Sequence, residues 1–415
     1  MKKIVRLQID VNRNVSVLQI KMKKEPKSII KVVVHWCHFG PYHIARLESA
    51  FNNLKQDGIL LIGMEVTSQS EFYAWDKVTG PTVFERHVVF PDEILEHVSP
   101  LRMWRGVMSS LDRINPDAVA ISGYSYYDAW AALIWCKLHR RPAILMTDSK
   151  RDDFHRVAWK EWLKRGIVQQ FNSGFYAGER SREYLLQLGM NPEKIFDGID
   201  VVDTDFFRSG AENARNNPEK YNTMLGLENP DPYFLASSRF VPRKNLIGLL
   251  RAYKEYYTRV QRENSYQPWR LVILGDGVER RNLEKFVISE NLNGVSFPGF
   301  KQIEDLPIYY GLASAFIHAA MQDQWGLVVN EAMAAGLPVM VSKKAGCAPD
   351  LVDEGRNGFT FHPEDTETLS ELMVLLSSSQ LDLQAMGQAS RDLIKKWGLN
   401  RFTNGLMNSI NAAFI

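Results

Sequence analysis

The chain has 415 residues, 45% of them hydrophobic and 24% charged, with a formal net charge of +2. That length is long for one hydrophobic core and comfortable for two, and the near-neutral balance supplies no global field for nucleic acid. Three scattered cysteines, Cys37, Cys136 and Cys347, form no CxxC and speak against disulfides or a zinc site, and no apolar run approaches the roughly 20 residues that cross a bilayer.

Residues 1–28 read as a strand pair, Ile4–Asp10 and Val15–Lys21, around a polar turn. Lys21, Lys23, Lys24, Lys27 and Lys31 form a basic run, ordinarily a solvated face and alternatively a contact with a membrane surface. Ile29–Trp36 is a buried-type strand. A loop with Gly40 follows, then a helix from Ile44 to Lys55. Strand, glycine loop and helix N-terminus make the phosphate-binding opening of a Rossmann-like half, though one glycine without G-x-G-x-x-G says little alone. Strands at Ile59–Val66, Ala118–Ser122 and Ala143–Thr147 alternate with helices at Leu95–Ile114 and Asp128–Leu138. This alternation predicts a parallel sheet covered on both faces. The strand ends carry Gly40, then Gly123–Asp128 with Tyr124, then Asp148–His155. These polar and aromatic loops suit a sugar acceptor, with Asp148, His155 and Tyr124 as candidate contacts.

Val157–Gly166 alternates aromatic and basic residues at helical spacing. It is either an amphipathic helix packed on the core or an interfacial helix for a lipid-linked acceptor. Asp203-Thr-Asp205 invites a metal reading, but its surroundings, Ile199–Phe207, read as a linker between domains.

In the second half a strand ends near Ser237, Pro242 marks a tight segment, and a helix opens at Lys244-Asn245. Arg239 and Lys244 thus sit between a strand end and a helix N-terminus, which gathers positive charge around a phosphate; on their own they are equally surface cations. Trp269–Leu274 runs into Gly275-Asp-Gly277, half a dinucleotide fingerprint. Arg280 stands where its last glycine is needed, which disfavours NAD. A helix at Arg280–Ser289, a strand at Val295–Lys301, a helix at Leu306–Leu312 and a strand at Ala315–His318 follow.

Then comes Met321–Pro338, with Asp323 and Glu331 eight positions apart and Trp325-Gly326 between them. The spacing predicts a loop and a short helix starting near Gly326, with Asp323 ahead of its N-terminus and Glu331 two turns in. Free amides and a positive dipole end suit an anionic or hydroxyl-rich ligand. The plainer reading has Asp323 as a cap and Glu331 in a salt bridge. Beyond it lie strands at Pro338–Ser342 and Asn357–Pro363 and helices at Thr366–Ser377 and Leu381–Lys396.

This stretch resembles the donor-site signature of retaining glycosyltransferases of the GT-B fold (glycosyltransferase family 4), in which two Glu flank seven residues. Glu331-Ala-Met-Ala matches the second; Asp323 stands in place of the first Glu, and Gln324-Trp325 in place of Gly-Phe. The Arg239…Lys244-Asn245 pattern is similar to the family's diphosphate site. The resemblance is strongest from Phe234 to Pro363. It implies Arg239 and Lys244 at the diphosphate, Glu331 at the ribose, and Asp323 with the Gly326 and Leu327 amides at the donor sugar. It further implies Phe300 and Lys301 near the base and Gly40 facing the diphosphate from the opposite domain.

The expectation is therefore an α/β protein of two Rossmann-like domains facing each other across a cleft. Residues 1–205 would form the acceptor side, residues 206–396 the donor side, and a helix at 397–415 would pack back on the first. The resemblance implies transfer of a sugar from a nucleotide diphosphate-sugar (UDP or GDP) to a hydroxyl of a saccharide or lipid-linked acceptor. Retention of configuration and no metal or other cofactor are implied. A nucleotide-sugar-binding protein without turnover and a GT-B epimerase are the alternatives. The expected setting is cytoplasmic, optionally peripheral at the inner membrane face.

Overall fold

The computed structural model describes residues 29–71, 75–78, 80–154, 156–225, 231–263 and 266–415, without the side chains of 222–225. The expected strand pair at 4–21, most of the basic run and His155 lie outside the described residues.

The first sheet has seven strands: β1 (Ile30–Trp36), β2 (Ile59–Gln69), β3 (Glu85–Ile94), β4 (Ala118–Ser122), β5 (Ala143–Thr147), β6 (Ser173–Tyr176) and β7 (Ile195–Asp197). Their order is β3-β2-β1-β4-β5-β6-β7, and every pairing is parallel. The second has six: β8 (Tyr233–Ser237), β9 (Arg270–Leu274), β10 (Val295–Gly299), β11 (Ala315–His318), β12 (Val339–Ser342) and β13 (Gly358–Phe361). Their order is β10-β9-β8-β11-β12-β13, again all parallel.

The central strands are apolar runs because helices cover both faces. Val32, Val33 and Val34 of β1 and Phe234 and Leu235 of β8 have no exposed surface. The edge strands β3 and β7 were not predicted. β3 carries Pro91, Asp92 and Glu93 and is only half-buried, so it lacks the apolar signature that marked its neighbours.

In each sheet the strand order reverses once, between β1 and β4 and between β8 and β11. Loops diverge there and leave a crevice at the carboxyl ends of the strands, where ligands of such sheets bind. The loops after β1, β4 and β5 therefore face those after β8 and β11.

The chain crosses between the sheets at Ile199–Asp203. Asp203 caps the helix Thr204–Asn216, its carboxylate accepting from the Asp205 and Phe206 amides. The last helix, Leu399–Ala413, returns to the first domain. Phe402 lies 5.3 Å from the Phe175 ring, Ser173 Oγ donates to the Ser409 carbonyl at 2.7 Å, and Arg401 pairs with Asp197 at 2.6 Å.

Candidate active site

The loop after β8 is shaped by its own backbone. Gly275, at the end of β9, has φ 126°, and a Cβ there would lie 1.8 Å from the Ser238 carbonyl oxygen. A short 3-10 turn covers Pro242–Lys244, and Asn245 takes a left-handed φ of 55°. Its side chain donates to the Ala319 and Pro363 carbonyls at 3.2 and 2.7 Å. The helix consequently begins at Leu246, two residues later than predicted. Lys244 ends the 3-10 turn, with its Nζ 2.5 Å from Asp323 Oδ2.

Asp323 begins the loop that leads to the helix Leu327–Ala334. His318 Nε2 lies 2.8 Å from the same Oδ2. Burial would raise the Asp323 carboxyl, but Lys244 and His318 outweigh it and hold the group well below the usual carboxylate range. Asp323 therefore does not cap the helix. That position falls to Gly326, left-handed at φ 106°, where a Cβ would come within 3.3 Å of His318 Nε2. A second loop clamps the first. The Gly346 amide donates to the Asp323 carbonyl and the Cys347 amide to the Trp325 carbonyl, both at 3.1 Å.

Glu331 points into the cleft from inside this helix and is 1% exposed. Tyr42, on the first domain, donates to its Oε1 at 2.9 Å; Tyr310 donates to Oε2 at 2.7 Å. Burial pushes the carboxyl up to about 7, and the two hydroxyls pull the other way. Neither acid follows the plainer reading: Glu331 has two tyrosines and, among the described residues, no salt bridge.

Two cavities meet between the domains. The larger, about 740 Å³, has Arg239, Lys244, Phe300, Lys301, Asp323, Gly326, Leu327 and Glu331 among its lining residues. All eight were singled out from sequence. The smaller, about 450 Å³, is lined mainly by the first domain, Gly40 and Tyr124 included, with Gln324 and Leu327 from the second. Gly40 is thus placed in the smaller cavity and not in the larger, and its amide donates to His43 Nδ1 at 3.0 Å.

Asp148 lies where the cavities join and lines both. Gln324 Nε2, from the opposite domain, donates to its Oδ1 at 3.1 Å. Burial, then the neighbouring Asp200 carboxylate, pushes Asp148 up to about 8.

Sequence reasoning missed Tyr42, Tyr310, Asp200, Trp75 and His318. Trp75 stacks edge-on against Phe300 at 5.0 Å and against Tyr42 at 5.7 Å. Asp200 lies 3.5 Å from Arg46 and lines both cavities; it stands three residues before Asp203, in the stretch read as a linker. His318 ends a predicted strand just before the central stretch, and a polar residue at such a strand end is itself a signal.

Residues 219–393 match the family model described as glycosyl transferases group 1. The second domain belongs to the group 1 glycosyl transferases. With its two facing parallel sheets the chain has the GT-B fold. A glycosyltransferase from Rickettsia africae superposes over 93% of this chain and 98% of its own, with a TM-score of 0.70 at 15% identity. Anabaena HepE, solved in complex with UDP and glucose, covers 92% of this chain and 99% of its own, with a TM-score of 0.67 at 16% identity. In sequence, the group 1 domain is similar to the alpha-monoglucosyldiacylglycerol synthase of Acholeplasma laidlawii. That match is 28% identical over 142 residues, or 34% of each chain. The chain spans between 28% and 53% of the length of three curated relatives that it matches.

Proposed function

We propose that the protein is a hexosyltransferase that moves a sugar from a nucleoside diphosphate donor to a hydroxyl of a saccharide or lipid-linked acceptor, with retention of configuration. The observation that carries this is the convergence of Arg239, Lys244 and Glu331 on one cavity of about 740 Å³. Breaking a sugar–phosphate bond leaves a diphosphate whose growing charge must be met. Arg239 and Lys244 are assigned that role, and preorganised groups of this kind are worth about 3–4 kcal/mol of barrier each. The proposal needs no metal there, since the two cations supply the positive charge. Glu331 is assigned the ribose hydroxyls, Phe300 and Lys301 the base edge, and Asp323 with the Gly326 and Leu327 amides the donor sugar. Tyr124 and Asp148 are assigned the acceptor side.

UDP is the first base to test, because Anabaena HepE was solved with UDP and glucose. A lipid-linked acceptor is suggested by the name of the Acholeplasma synthase. A cytoplasmic setting at the inner membrane face belongs to the same proposal.

The test is a thermal-shift panel of UDP, GDP, ADP, TDP and NAD, with and without magnesium. One diphosphate at about 100 times its dissociation constant should add about 2.7 kcal/mol. A shift with NAD alone, or with none, would overturn the reading. A second reading is favoured by Asp323, whose Oδ2 is engaged by both Lys244 and His318: the chain would then bind donor without turnover. Donor consumption in the presence of acceptor extracts separates the two.

A further inference from the structure

The helix Ala158–Val168 presents its apolar side outward. Trp159, Trp162 and Leu163 follow the i, i+3, i+4 spacing of a stripe that normally faces the core. Here they are 60%, 73% and 46% exposed, and Phe154, just ahead, is 69% exposed. Only Val168 of the whole helix is buried. The inner side is held by Glu161, which accepts from the Tyr184 hydroxyl at 2.7 Å.

Charge accompanies the stripe. Lys160 and Arg165 are both exposed and follow Trp159 and precede Gly166 on the two flanks. Lys160 Nζ lies 5.6 Å from the Trp159 ring centre. A contiguous exposed apolar patch marks an interaction site. Indole rings framed by cations fit the interface of an anionic bilayer, with rings at headgroup depth and cations at lipid phosphates. The patch also shares a loop with the smaller cavity. Phe154 follows Asp148 and Ser149, which line that cavity, in the same loop.

We propose that this face docks the protein on an anionic membrane surface, so that the smaller cavity opens beside the headgroup layer. Its purpose rests on the transferase reading; the docking itself does not.

The test is co-sedimentation of the full chain with vesicles of phosphatidylcholine alone and of equal parts phosphatidylcholine and phosphatidylglycerol. Wild type should sediment with the mixed vesicles about tenfold more than with the neutral ones. Trp159→Ala with Trp162→Ala, and separately Lys160→Glu with Arg165→Glu, should each lower that binding about tenfold or more. Melting points and any UDP-induced shift should stay at the wild-type value, because these side chains are exposed. Failure of wild type to sediment with mixed vesicles, or binding indifferent to the tryptophan pair, would overturn the proposal. So would a dimer in light scattering that the tryptophan pair disperses, since the patch would then belong to a second copy. Vesicle binding without any UDP shift would uphold the docking and remove the transferase reading alone.

Discussion

Tyr42 donates its hydroxyl to Glu331 across the cleft at 2.9 Å, joining the first helix of one domain to the helix that follows Gly326 in the other. Glu331 is nearly devoid of exposed surface, so a lost donor is not replaced by bulk water. Tyr42→Phe should destabilise the ligand-free protein by about 1–3 kcal/mol, or about 2–4 °C per kcal/mol for domains of this size. Differential scanning fluorimetry measures it. An unchanged melting point would mean that the two domains are not tied through this pair.

Glu331 should also impose a pH dependence on nucleotide binding. Burial raises its carboxyl from 4.5 to about 7, so in the ligand-free fold it is charged only above that pH. Hydroxyls of a ribose donate to the charged form. UDP affinity should therefore rise as pH increases through about 7 in wild type. In Glu331→Gln the profile should be flat there, and affinity at about pH 8 should be about 10- to 100-fold weaker. Isothermal titration at several pH values gives the answer, and parallel profiles for the two proteins would remove Glu331 from the ribose site.

Lys244 and Asp323 form a mostly buried pair, 12% and 14% exposed at the side chain. Removing either partner strands the other, at a cost of about 3–5 kcal/mol. Lys244→Met and Asp323→Asn should each destabilise, and the double variant should cost clearly less than their sum. Additive losses in urea unfolding would show that the pair is not coupled. Asp323→Glu restores the residue type of the related signature but adds a methylene between Lys244 and His318. It should lose about 1–3 kcal/mol by overpacking and gain no activity.

Asp148 gives a stability signature of its own. Its carboxyl is raised from 3.8 to about 8, first by burial and then by Asp200. A raised folded-state value means stability that is complete below about pH 4 and is lost as pH rises through about 8. Ligand-free wild type should lose stability across that window by up to about 1.4 kcal/mol per pH unit more than Asp148→Asn. Urea midpoints at several pH values test it; equal slopes would mean that Asp148 stays charged throughout.

Much of the fold was legible in the chain. Ala118–Ser122, Ala143–Thr147 and Ala315–His318 were read with the bounds that the structure has, because a parallel strand buried on both faces has no polar positions to blur it. The strands that escaped are at edges, where half-burial and charge erase that pattern. Eight of the residues that line the larger cavity were legible as well, since the strand end, the turn and the helix start that place most of them are local features. The two acids were misread on spacing alone. A capping role for Asp323 assumes neighbours in sequence, and one partner of each acid is remote: Lys244 is 79 residues from Asp323, and Tyr42 is 289 residues from Glu331.

What the sequence determined by itself was the set of local elements: apolar runs for strands, glycines where φ must be positive, and cations beside a helix start. These depend on neighbouring residues and so can be read from them. What only the tertiary structure decided was which side chains share a cavity and in what charge state. Tyr42 on Glu331 is brought there by the packing of the two domains, and Tyr310 on Glu331, His318 on Asp323 and Asp200 beside Asp148 by tertiary packing. Burial, which sets their ionisation, has no value until that packing exists.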